Sequence, residues 1–279
     1  MVSNASLSDD PREILAKKTT KSIWINLTAT VLLLNLGKSV FSFRVMSPHF
    51  ESPLEPPVTT EELRYELAPT SHPTSSKNGC FLLPAMAGLS PETVDLLGCL
   101  PIANVNAQLV DYLASQEQQP HTVEFACVFA ADPFYDPGQL IDDLGAANIS
   151  GIANLPSLGI LGGRFAEVMS ASGFDFQREL QCLEFAKRNG LRASAFIWNE
   201  QQGTASVRAR VDQLIVHPGG FLRQATARKA AATATVALIK TLQDRAGGEA
   251  PILLYRHPAL YNELSEAAAL AEGTIVYGG

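Results

Sequence analysis

From residue 80 to residue 277 the chain alternates between short apolar runs and longer stretches with helical spacing. The apolar runs fall at residues 80–83, 97–102, 123–129, 151–153, 192–197, 213–216, 252–255 and 274–277. Continuous runs this short suit strands that are buried on both faces. Between them, apolar residues recur every three or four positions at 105–115, 137–147, 164–172, 176–188, 225–245 and 258–271, which predicts helices. The punctuation agrees. Asp136 before Pro137 reads as an N-cap followed by proline at the first helical position. Asn189-Gly190 reads as a helix stop.

Strands alternating with helices over about 200 residues predict an α/β fold with a parallel sheet. Up to eight strands suit a (β/α)8 TIM barrel; an open doubly wound sheet is the alternative. No Gly-x-Gly-x-x-Gly follows an early strand and no P-loop is present, which weakens the dinucleotide-binding version of the open sheet.

The first 78 residues have a different texture. A short helix is expected at 9–17. Residues 22–36 are strongly apolar and follow Lys17, Lys18 and Lys21, so they also have the look of a signal or anchor segment. At about 15 residues they are shorter than the roughly 20 that span a bilayer. They carry Asn26 and Asn35, and no small-residue cleavage site follows, so a buried strand or helix is the expectation. Residues 47–78 are rich in Pro and Ser and read as a linker, interrupted by a short helix near 60–67. The expected organisation is therefore a divergent N-terminal segment over 1–78 and a barrel domain over 79–279.

Composition narrows the function classes. A hydrophobic share of 46% supports a packed core, and a net charge of −7 argues against nucleic-acid binding, which needs a basic face. The four cysteines, Cys80, Cys99, Cys127 and Cys182, show no CxxC or zinc-finger spacing. They suit a reducing compartment, so a cytoplasmic protein without a membrane partner is expected. Cys127, in a strand that leads to polar residues, is a candidate nucleophile, set against its more ordinary reading as a core thiol.

In a barrel of this kind, chemistry sits at the C-terminal ends of the strands. Asp132, Asn154, Asn199, His217 and the pair Arg256-His257 each come directly after an apolar run. Singly, Asp132 and Asn199 can be turn residues and His217 a loop histidine. Together, a carboxylate, amides, imidazoles and an arginine suit a small anionic or carbonyl-containing molecule. Amides and arginine hold its oxygens, a histidine serves as acid or base, and Asp132 ligates a divalent ion through water. The stretch 151–164 is one spoke of such a face. It begins as a strand, delivers Asn154, and ends in a loop with Gly159, Gly162 and Gly163 that leads to Arg164.

The segments Pro101-Ile-Ala-Asn-Val-Asn-Ala107, Ala131-Asp-Pro-Phe-Tyr-Asp136, Gly151-Ile-Ala-Asn-Leu-Pro-Ser-Leu-Gly-Ile160, Gly173-Phe-Asp-Phe-Gln-Arg-Glu179 and Ile215-Val-His217 resemble the phosphoenolpyruvate hydrolase-like TIM-barrel family. The resemblance runs from about Gly79 to Gly279. It implies a barrel related to the phosphoenolpyruvate mutase and isocitrate lyase group, whose enzymes make or break C–C, C–O or P–C bonds in small 2-oxo acids, usually with Mg2+. Carried over by position, the site residues are Asn106, Asp132, Asn154, Glu179, Asn199 and His217. The chain departs from the family pattern at Asn104, Gly162 and Gln177, each standing where the family has an acidic residue, and fewer carboxylates weaken a Mg2+ site. The family's first strand region has no counterpart in residues 18–78, so an atypical first unit is expected, along with a missing final helix. Such a barrel exposes sheet edges, which points to a homo-oligomer.

The reading is a lyase- or hydrolase-type enzyme acting on a small oxo-acid or dicarbonyl substrate. His217, Asp132 and Glu179 are the catalytic candidates. Asn106, Asn154, Arg164, Asn199 and His257 are the substrate-binding ones, with Arg256 as an alternative to Arg164. Asp132 is the metal candidate. The competing reading is a catalytically silent barrel that keeps a small-molecule pocket.

Overall fold

The computed structural model describes residues 63–71, 78–100, 102–116, 123–219 and 224–278. The helix expected at 9–17, the apolar segment at 22–36 and the linker up to residue 62 lie outside these residues.

Eight parallel strands close into a barrel in chain order. They are β1 (Leu63–Ala68), β2 (Cys80–Leu82), β3 (Val123–Cys127), β4 (Gly151–Ala153), β5 (Arg192–Ile197), β6 (Gln213–Val216), β7 (Ile252–Arg256) and β8 (Gly273–Tyr277). Side chains alternate across the wall, as the pleat requires. Tyr65, Phe81, Phe125, Phe196, Ile215, Leu253 and Ile275 fill the interior. Leu214, Val216, Ile252 and Leu254 point outward to a second core beneath the helices. The interior is packed rather than hollow: Phe81 stacks on Phe125 with ring centroids 4.8 Å apart.

The helices are α1 (Pro91–Asp95), α2 (Val105–Ser115), α3 (Pro137–Ala146), α4 (Gly163–Ala171), α5 (Phe176–Arg188), α6 (Glu200–Arg208), α7 (Ala225–Ala246) and α8 (Ser265–Leu270). Asp136 caps α3 as expected, accepting the Gln139 N–H at 2.9 Å with Pro137 at the first helical position. Asn189 closes α5, and Gly190 comes next at φ 88, a conformation that favours glycine.

Four expectations are corrected. Residues 63–67, expected to be helical, belong to β1. Their alternation of Leu63, Tyr65 and Leu67 with Arg64 and Glu66 is the period of a strand. The barrel's first strand therefore precedes the Gly79 boundary. No strand forms at 97–100 or at Ile102: Leu97 turns into the barrel interior, while Ile102 is exposed. Residues 258–271 do not make one helix but a 3-10 turn, Pro258–Leu260, and then α8. Finally, β1 pairs with β8 over five residues, so the sheet has no open edge of the kind expected.

The connection between β2 and α2 positions the site. It runs through a 3-10 turn (Pro84–Met86) and α1. Ser90 caps α1 by accepting the Thr93 N–H, and Pro91 takes the first helical position. Met86, Val94 and Leu97 are buried with the barrel-interior residues, so this segment lies over the C-terminal end of the barrel.

Candidate active site

The structure gathers the expected residues into separate groups. The first is built around Asp95, at the end of α1, which was not among the candidates. His217 lies just past β6 and His257 just past β7. The Nε2 of His217 lies 3.0 Å from Asp95 Oδ1, a hydrogen bond. The Nε2 of His257 lies 3.4 Å from Asp95 Oδ2, close enough for an ion pair but without hydrogen-bond geometry. All three side chains are buried: Asp95 is 1% exposed, His217 2% and His257 0%.

Local backbone sets the tautomers. The Gly219 N–H donates to His217 Nδ1 at 3.0 Å, and the Ala259 N–H donates to His257 Nδ1 at 3.1 Å. An Nδ1 that accepts leaves the neutral ring's proton on Nε2. Both Nε2–H groups thus face the Asp95 carboxylate. Burial works to raise the Asp95 carboxyl, but the pull of His217, and after it of His257, outweighs burial and holds the carboxyl at about 2.

Aromatic rings enclose the pair. Trp198 stacks on His217 at 4.9 Å, and Tyr255 lies 4.8 Å from the His217 ring and 5.9 Å from the His257 ring. Burial, and then the Asp95 charge, push the Tyr255 hydroxyl well above the usual tyrosine range. Among the described residues, the buried side-chain atoms without a hydrogen-bond partner are Asp95 Oδ2, Trp198 Nε1, Tyr255 OH, Arg256 Nε and His257 Nε2. All belong to Asp95 or to the ends of β5 and β7. Unpartnered buried polar atoms are rare in folded proteins and call for an explanation. A cavity of about 370 Å³ has His217, Trp198, Asn199 and Glu200 in its wall, together with Thr235 of α7. Asn199 itself caps α6, accepting the Gln202 N–H at 2.9 Å.

A second group joins Asn154 and Glu179. Asn154 accepts the Phe196 N–H at 2.7 Å and donates to Glu179 Oε2 at 2.8 Å, tying β4 to β5 and α5. Glu179 also accepts from the Ser157 hydroxyl at 2.5 Å and from the Leu158 N–H at 2.6 Å. Burial pushes the Glu179 carboxyl up to about 7 against these three hydrogen bonds. The loop that opens at Asn154 is therefore anchored from beneath by Glu179. These residues bond to one another rather than to the imidazoles.

A third group joins Asn106 and Asp132. Asn106 holds the end of β3 through both its oxygen and its amide, at 2.9 Å and 3.1 Å from the Phe129 backbone. Asp132 accepts from Asn106 Nδ2 at 3.1 Å and from the Phe134 N–H at 2.9 Å. With both carboxylate oxygens engaged, and no cluster of three or more metal-ligating side chains among the described residues, Asp132 and its neighbours do not fit a Mg2+ site.

Arg164 is exposed on α4 and belongs to none of these groups. Arg256 lies over the Tyr261 ring, 3.7 Å from its centroid. Cys127 faces the barrel interior, where burial raises its thiol well above the ordinary range, so it has no thiolate to attack with.

Comparison with known proteins agrees with this architecture. The model of the family described as phosphoenolpyruvate hydrolase-like matches residues 89–250, more than half of the chain. Two tomato (Solanum lycopersicum) proteins, the ToMV resistance protein Tm-1(GCR237) and the ToMV susceptible protein tm-1(GCR26), are each 27% identical over 127 residues. The matched stretch is 44% of this chain and only 17% of either relative. A solved phosphoenolpyruvate phosphomutase from Streptomyces platensis subsp. rosaceus shares the fold with a TM-score of 0.50 at 14% identity, covering 78% of this chain and 76% of that one. On the strength of the family match, this chain belongs to the phosphoenolpyruvate hydrolase-like family.

Proposed function

We propose that the chain is a lyase- or hydrolase-type enzyme acting on a C–C or C–O bond of a small oxo-acid or dicarbonyl compound. The observation that carries this reading is the convergence of His217, His257 and Tyr255 at the C-terminal end of the barrel, with unpartnered buried polar atoms concentrated there. Family membership supports small-molecule chemistry of this kind. In this reading the His217 Nε2–H donates to a substrate oxygen. As the C–C or C–O bond breaks and charge develops on that oxygen, the proton stabilises it or transfers to it. His257 and Tyr255 hold the remaining oxygens. Asn106, Asp132, Asn154 and Glu179 act by shaping the β3 and β4 loops, and no step runs through a metal ion. A cytoplasmic location and self-association remain proposals, the latter without the open sheet edges that first suggested it. No described helix is long and apolar enough to cross a membrane.

A second reading, a catalytically silent barrel that binds a small molecule, is favoured by one observation: both ring nitrogens of His217 are already engaged inside the protein. Thermal melting with pyruvate, oxaloacetate and phosphoenolpyruvate, then turnover assays on whichever of them binds, separates the two. A ligand of the native state must raise the melting temperature. The enzyme reading expects stabilisation plus conversion, with His217→Gln losing about 10²–10⁴-fold in kcat. Stabilisation without conversion supports the silent barrel. Full turnover in His217→Gln removes that residue from its role.

A further inference from the structure

The Asp95 carboxylate reaches the two imidazoles from an unexpected direction. In a closed ring of eight strands, β2 and β6 stand on opposite sides. The segment that leaves β2 crosses the C-terminal end of the barrel to place Asp95 against His217 and His257. It touches the rim on the way. The Leu89 carbonyl accepts from the Tyr277 hydroxyl of β8 at 2.9 Å. Gly98 lies so close to the ends of β3 and β4 that a methyl group there would stand 3.1 Å from the Phe129 ring and 3.7 Å from Pro156. Residues 84–98 thus cover the face of the barrel where enzymes of this fold bind their substrates.

The chemistry under the cover is one-sided. His217 Nε2–H and His257 Nε2–H face a carboxylate, and the Tyr255 hydroxyl and Trp198 Nε1–H beside them have no partner. Asp95 Oδ2 is the only unpartnered carboxylate oxygen among these atoms. A surplus of buried donors around one carboxylate is complemented by an acceptor-rich anion. Exchange of the Asp95 carboxylate for that of a ligand leaves the charge of the site unchanged, so the exchange carries no penalty for burying an added charge.

We propose that Asp95 is the built-in occupant of a carboxylate site. It stands where the carboxylate of a small ligand binds, and residues 84–98 lift off the barrel end when that ligand enters. The proposal rests on the reading of this end as a small-molecule site, and names the group recognised there: a monocarboxylate with a further acceptor beside it, as in a 2-oxo acid. His217 and His257 supply the donors, and Asp95 is the latch. The closed state competes with ligand, so the intact chain binds more weakly than one without the latch.

Two measurements test this, with acetate and pyruvate as probes and chloride at equal ionic strength as control. In Asp95→Ala, whose truncated side chain leaves the place of the carboxylate vacant, both probes are expected to raise the melting temperature at concentrations at least tenfold lower than in the intact chain. In the intact chain, saturating pyruvate is expected to speed amide hydrogen exchange at residues 93–97 while slowing it at the ends of β6 and β7. The proposal is overturned if acetate and pyruvate act no differently from chloride on Asp95→Ala. It is equally overturned if exchange at 93–97 is unchanged or slowed by pyruvate in the intact chain. Should Asp95→Ala fail to fold, the exchange measurement decides alone. Failure of the enzyme reading shows differently: carboxylates then bind and lift the segment, and none is converted.

Discussion

Asp95 and His217 lie 122 residues apart in the chain and 3.0 Å apart in the fold. That contact fastens the segment after β2 to the far wall of the barrel, where the Gly219 N–H on Nδ1 turns the His217 Nε2–H toward the carboxylate. It is buried, so its strength registers in the stability of the whole chain as well as in the site.

The Asp95 carboxyl gives the contact a pH signature. It is held at about 2 in the fold against an ordinary value of 3.8. A depressed carboxyl stabilises the fold above its unfolded value, and that contribution is lost as pH falls through the folded value. The difference corresponds to roughly 2 kcal/mol. Denaturant unfolding between pH 5 and 2 is expected to show this loss in the intact chain and not in Asp95→Asn. An identical acid profile in the two proteins contradicts the contact.

Glu179 has the opposite sign. Burial raises it from an ordinary 4.5 to about 7. Its contribution is complete below the unfolded value and is lost as pH rises through the folded one, on the order of 3 kcal/mol. Stability is therefore expected to decline between about pH 4.5 and 7 from this residue. In Glu179→Gln that part of the slope is expected to vanish, as measured by urea midpoints across the same range. A slope that persists unaltered places the titration elsewhere.

Barrel closure rests on β1 and β8. A methyl group added at Gly273 would collide with the Leu63 carbonyl oxygen, a backbone atom that moves only with its strand. Gly273→Ala is expected to lose about 1–3 kcal/mol, the usual range for overpacking. An unchanged melting temperature counts against the β1–β8 pairing.

Cys127 is expected to be dispensable for chemistry. Its thiol faces packed aromatic and aliphatic side chains and is held protonated by burial. With whatever substrate the intact chain converts, Cys127→Ala is expected to keep kcat within a few-fold at a temperature where it is folded. Complete loss of turnover in a folded variant restores the cysteine as a nucleophile.

The repeating strands and helices were legible because period and punctuation coincide, as at β5, which lies between the Asn189-Gly190 helix stop and the Asn199 cap. Strand β1 was not, because Pro- and Ser-rich flanks hide a clear alternation of Leu63, Tyr65 and Leu67. Residues 97–100 misled for the converse reason: Leu97 packs at the barrel end rather than in the sheet. Within the site, His217 and His257 were legible as polar residues placed directly after apolar runs. Asp95 lies outside that rule, since it reaches the site from a connecting segment. The available signal was an acidic residue set among Val94, Leu96 and Leu97, where a carboxylate needs buried partners. Asn154 and Glu179 stood out as residues with a role, but spacing alone did not show that they bond to each other.

In the account given for this barrel end, the Nε2–H groups of His217 and His257 form the ligand-binding face. Imidazole 15N–1H spectra of the intact chain, titrated with pyruvate, test this most directly. The two rings are expected to show unprotonated Nδ1 and protonated Nε2 before addition, and both Nε2–H signals are expected to shift saturably as pyruvate binds. Signals that stay fixed while pyruvate binds elsewhere on the chain contradict it.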